Sequence, residues 1–221
     1  MDDWRDGSDE FFPDARWRRP FELAWESLQA GSFPVGAVLF DPAGAVAAEG
    51  RNRIAEQDAP AGQLRGTSLA HAEVNVLAQM PPHTPPAGHY DYLLYTTLEP
   101  CLLCTSALRM TRVGRVLFAA PDEYWAGVAG IPQLLRSGTA RHWTARYGPI
   151  AGPLGVWAGV LPAYWYLTYR PSAVFTADPV VPKPRVDLAD RLRDADVFQA
   201  KTTELALQQA WPDLARVAEG G

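Results

Sequence analysis

What most narrows the possible folds of this chain is where its sulfur lies. Only two cysteines occur in 221 residues, Cys101 and Cys104, three apart and directly after Pro100. Two cysteines exclude a disulfide-stapled secreted scaffold, which needs several bridges. At i and i+3 of a helix both sulfurs leave one face and can reach one ion. Pro100 pre-sets the backbone for a first helical turn, and the helix dipole at that end favours thiolates. Thirty residues before Cys101, His71-Ala72-Glu73 opens a second helical stretch. One imidazole and two thiolates suit a tetrahedral zinc whose fourth position stays open. Glu73 stands too close to His71 in sequence to share the ion, and is better placed as a carboxylate that takes up a proton and returns it. Each fragment alone has an ordinary reading: a histidine at a helix start is often a cap, and paired cysteines are often small core residues.

The remaining pattern predicts alternating strands and helices. Residues 1–20 read as an arm, and 21–30 as an amphipathic helix ended by Gly31. Residues 35–40 and 45–49 form a hairpin about the turn at 41–44. A loop over 53–68 precedes a helix over 69–80, and 81–88 is a second loop. A strand over 92–97, a helix over 101–111 and a strand over 115–119 follow, giving a layered α/β sheet with parallel crossovers. Residues 174–185 read as a proline-rich linker, and 187–217 as two helices broken near Thr202-Thr203.

Charge limits the partners. Twenty Lys and Arg against 25 Asp and Glu leave a net charge of −5, so a strongly basic nucleic-acid footprint is absent. Arg16, Arg18 and Arg19 form a small candidate patch, whereas Arg185, Arg191 and Arg193 are interleaved with aspartates. The acidic start lacks an apolar core of the secretory type, and a soluble, cytoplasmic protein is expected. Residues 149–169 carry no charge over 21 positions, but three prolines and three glycines argue for buried core or a subunit interface over a membrane span.

Taken together, Pro34-Val35-Gly36-Ala37-Val38, Asn52, His71-Ala72-Glu73-Val74, the run from Thr97 to Cys104 and Gly114-Arg115-Val116-Leu117-Phe118 resemble the cytidine-deaminase-like superfamily of zinc deaminases. They are most similar to its tRNA adenosine deaminase and guanine deaminase branch, over residues 21–132. The resemblance implies a three-layer αβα fold with a mixed central sheet. It implies one Zn2+ per chain on His71, Cys101 and Cys104, with Glu73 as the proton shuttle. Asn52 and the Ala72 backbone would contact substrate, and Phe33 would either stack on the base or face the core. Tyr124, Trp125 and Trp143 are candidate pocket residues, and Glu99 is read as organising a helix start. The domain would cover 21–175, with 176–221 packing on the core or on a partner subunit. The expected function is hydrolytic deamination of a small nucleobase or nucleoside, purine-type, by a homodimer without membrane contact. The alternatives are adenosine-to-inosine conversion in tRNA and a non-catalytic zinc-stapled scaffold.

Overall fold

The computed structural model describes residues 11, 12, 14–81 and 89–220, so most of the 81–88 loop and residues 1–10 of the arm lie outside the described residues. Five strands make one sheet in the order β2-β1-β3-β4-β5. They are β1 (Gly36–Phe40), β2 (Val46–Arg51), β3 (Leu93–Leu98), β4 (Arg115–Ala120) and β5 (Ala145–Tyr147). β1 runs antiparallel to both β2 and β3, while β3, β4 and β5 are parallel. β2 and β3 are therefore parallel across β1, and the connections from β2 to β3, β3 to β4 and β4 to β5 each join parallel strands. The sheet is mixed because of the hairpin.

Helices cover both faces. α1 (Arg18–Gln29) packs on one side, and α2 (Ala72–Leu77) and α3 (Leu102–Thr111) on the other. Two glycines show the sidedness. A Cβ on Gly36 would meet the α1 backbone, 2.2 Å from the Pro20 carbonyl oxygen, whereas one on Gly50 would stand 3.0 Å from the Ala72 carbonyl oxygen at the start of α2. Gly36 pairs with Arg51 and Ala37 with Gly50, so adjacent residues on β2 face opposite layers. Gly36→Ala is expected to cost about 3 kcal/mol, the upper end for overpacking, because the obstacle is backbone. Gly138, which has nothing within 4 Å of its would-be Cβ, supplies the control. Equal urea midpoints for Gly36→Ala and Gly138→Ala would contradict this packing.

The boundaries of α1 and α2 differ most from expectation. α1 starts at Arg18, inside the expected arm, because the Asp14 carboxylate accepts the Arg16 backbone N–H at 3.0 Å and a short 3-10 turn, Ala15–Trp17, leads straight in. Pro20 is tolerated in a first turn. α2 is far shorter than 69–80. Tight turns (Ala70 N–H to Thr67 oxygen, His71 N–H to Leu69 oxygen) hold the chain extended up to His71.

The uncharged stretch becomes α5 (Pro153–Tyr169), after a one-turn α4 (Ser137–Ala140). It packs against β4 and α1, and its outer side is covered by α6 (Lys183–Asp194) and α7 (Thr203–Gly220). Apolar residues therefore line its whole circumference. Trp157 is fully buried, its ring stacked between Trp25 at 6.1 Å and Phe198 at 5.8 Å. Among the described residues no helix is long and apolar enough to cross a membrane. The terminal helices pack on the core, and α6 begins within the expected linker.

The candidate arginine patch is already paired. Arg16 binds Asp14, Arg18 binds Glu204, and Arg19 is shared by Glu22, Glu26 and Glu49.

Candidate metal centre

The starts of α2 and α3 meet over the carboxyl end of β3. His71 occupies the extended residue before α2, and Cys101 the extended residue before α3. Cys104 lies on the first turn of α3. His71 Nδ1 is 3.6 Å from Cys101 Sγ and 3.4 Å from Cys104 Sγ, and the two sulfurs are 3.6 Å apart. Zinc bond lengths in a tetrahedron put nitrogen and sulfur about 3.5 Å apart and two sulfurs about 3.8 Å apart. The donors fit one such ion, and among the described residues they are the converging ligand set.

Their protonation supports the fit. Cys101 is pulled down to about 4 by the hydrogen bond from Cys104, helped by His71. Cys104 is pushed up by the Cys101 thiolate and by burial, and His71 is raised by its contact with Cys101. A divalent cation bound by these donors would displace the protons they carry.

Glu73 stands beside this set. It is 4% exposed; Thr96 Oγ1 donates to its Oε1 at 2.9 Å, and Cys104 Sγ lies 3.3 Å from its Oε2. Burial, with the nearby Cys101 charge, pushes its carboxyl up. Thr96 escaped the sequence reading because its role depends on strand register, which puts its hydroxyl on the α2 side of β3.

The centre opens into a cavity of about 1010 Å³. Its lining includes His71, Glu73, Cys101, Cys104, Asn52 and Phe33. Asn52 is buried, its backbone oxygen accepting from Ser27 Oγ at 2.8 Å and its Oδ1 from the Ile54 N–H at 3.1 Å. Its side-chain oxygen thus closes a local turn, and its Nδ2 is the polar group left over. Phe33 meets Trp165 and Tyr166 edge-on at 5.1 and 5.6 Å. Ala72 is fully buried and is not among the residues that line the cavity. Tyr124 and Trp125 line the cavity; Trp143 does not.

Residues that the sequence reading did not place here build the outer wall: Trp165, Tyr166, Tyr169 and Arg170 from the end of α5, and Arg185 from α6. Asp122 lines it too, and burial pushes its carboxyl up to about 7. The 53–68 loop is tied down by Asn75, whose Oδ1 accepts the Leu64 N–H at 2.7 Å while its Nδ2 donates to the Arg51 and Leu64 carbonyls.

A mixed sheet with a His-Cys-Cys centre between two helix starts is the architecture of a cytidine-deaminase-like zinc domain. Residues 16–120 match the family described as the cytidine and deoxycytidylate deaminase zinc-binding region. The chain is 34% identical over 119 residues to a tRNA-specific adenosine deaminase of Haemophilus influenzae, covering 54% of this chain and 64% of that one. It thus spans less than two thirds of that relative. A structure solved in a study of A-to-I editing by tRNA:A34 deaminases is 26% identical, covering 59% of this chain and 94% of that one, with a TM-score of 0.47. A guanine deaminase from Bacillus subtilis is 32% identical, covering 47% and 61%, with a TM-score of 0.39.

Proposed function

We propose that this chain is a zinc-dependent hydrolytic deaminase acting on a purine-type ring with an exocyclic amine. The observation that carries the reading is Glu73: a buried carboxylate held by Thr96, on the cavity wall beside three metal donors. A closed structural site takes four protein ligands and has no use for such a group, which argues against the scaffold alternative. Zinc bound to His71, Cys101 and Cys104 supplies Lewis-acid activation of water. Glu73 takes the proton released as water adds to the ring carbon and delivers it to the departing amine. A carbon–oxygen bond forms, the carbon–nitrogen bond breaks, and ammonia leaves. Asn52 Nδ2, the Phe33 ring and the Ala72 backbone are the proposed contacts to the body of the ring. A homodimer belongs to the same proposal, supported by the apolar side chains left exposed on α3, among them Leu103 and Met110.

Two carriers of that ring are supported by different observations. The relatives, named as tRNA-specific adenosine deaminases, support adenosine within tRNA, and do so more directly than they support a free base. The cavity supports a free base or nucleoside. Its aromatic outer wall comes from residues beyond the matched segment, and the Arg16, Arg18 and Arg19 cluster is paired off, whereas phosphate binding needs free cations.

The test is ammonia release from free purines, nucleosides and tRNA at low and moderate salt. The cavity reading expects turnover of a base or nucleoside with weak salt dependence, and Asn52→Ala raising KM more than it lowers kcat. Conversion of tRNA alone, falling steeply with salt, would establish the tRNA reading. No ammonia from any substrate would overturn the deaminase reading itself.

A further inference from the structure

Next to the metal centre lies a buried cation that the mechanism does not use. Arg146 sits on β5, outside the matched segment, with its side chain only 10% exposed. Its Nη2 donates to Glu99 Oε1 at 2.7 Å and to the Pro100 carbonyl at 3.3 Å, and its Nη1 donates to Thr105 Oγ1 at 2.9 Å. Thr105 Oγ1 in turn donates to the Pro100 carbonyl at 3.0 Å. The guanidinium lies over the Phe118 ring, 5.7 Å from its centroid. The other Glu99 oxygen, Oε2, accepts the Asp122 backbone N–H at 3.4 Å, at the start of the cavity-wall turn.

These contacts converge on the two residues before Cys101 and on the one after Cys104. The chain must be extended at Cys101 (φ −64°, ψ −179°) and helical by Cys104 for both sulfurs to meet one ion. A planar fork fixed to a neighbouring strand can hold that bend, whereas a point charge reaches fewer of its acceptors. We infer that Arg146 is a positioning residue of the metal centre, clamping the Glu99-Pro100 turn and the first turn of α3 so that Cys101 and Cys104 face a single ion. β5 thereby becomes part of the site, though it supplies no ligand. The inference rests on the zinc reading of the donor set. Groups that orient metal ligands typically hold about 10–100-fold in affinity.

The experiment uses the whole 221-residue chain in its zinc-loaded form and follows transfer of zinc to a chromophoric chelator. The cobalt-substituted form is examined for its thiolate charge-transfer band. Arg146→Met is expected to speed metal release about 10-fold or more and to perturb the cobalt band; Arg146→Lys should fall between. Thr105→Val, which removes one acceptor of the clamp and keeps its volume, should shift both readouts the same way if Arg146→Met fails to fold. Thr144→Val removes a β5 anchor away from the site, the 2.7 Å bond from Thr144 Oγ1 to the Val113 carbonyl. It should lower melting alone. Parent release rates and a parent cobalt band in both Arg146→Lys and Thr105→Val would overturn the clamp. A parent protein that takes up no zinc would instead overturn the metal reading beneath it.

Discussion

Glu73→Ala is expected to yield a folded protein with its full zinc content and turnover reduced about 10⁴-fold, the upper range for a lost general acid and base. The effect is large because one carboxylate serves both proton transfers. Its removal leaves the buried Thr96 hydroxyl without its acceptor, a cost of about 1–3 kcal/mol that a domain of this size tolerates. Glu73→Gln keeps an oxygen for Thr96 and should bind substrate without converting it. Metal analysis, circular dichroism and ammonia release on the same preparations separate these effects. Turnover near the parent level in either variant would remove Glu73 from the mechanism and leave the centre structural.

Cys104→Ser is expected to lose the metal and a large share of stability. Cys104 is 1% exposed and lies within 3.6 Å of Cys101 and 3.4 Å of His71, so its sulfur joins the starts of α2 and α3 through the ion. A ligand present at about 1,000 times its Kd stabilises by about 4 kcal/mol. At about 2–4 °C per kcal/mol for a chain of this size, melting should fall by about 10 °C. Chelator-treated parent protein should melt near the variant, since both lack the same tie. Stoichiometric zinc and parent melting in Cys104→Ser would exclude this centre.

The metal ligands were legible because each lies at a helix start, where local spacing decides geometry. Cys101 and Cys104 needed only helical periodicity, and His71 and Glu73 a short run at the next helix start. The Ser27 and Ile54 bonds that seat Asn52 beside the cavity come from the structure alone. Thr96 and Arg146 were not legible. One depends on strand register, and the other reaches Glu99 across 47 positions of sequence. The length of α2 misled for a related reason: 69–80 has no helix breaker, yet turns between Thr67 and His71 win locally and leave Leu69 54% exposed.

By itself the sequence determined the donor set, the neighbouring carboxylate and the α/β class, since residue chemistry and short-range periodicity suffice for those. Only the tertiary structure decided the order of strands around β1, the burial of α5 beneath α6 and α7, and the aromatic wall that the end of α5 brings to the cavity. Apolar stretches such as 149–169 carry the same pattern whether they face a sheet, a second subunit or lipid. Their partner is selected by long-range packing of the whole chain, in which no single segment holds the information.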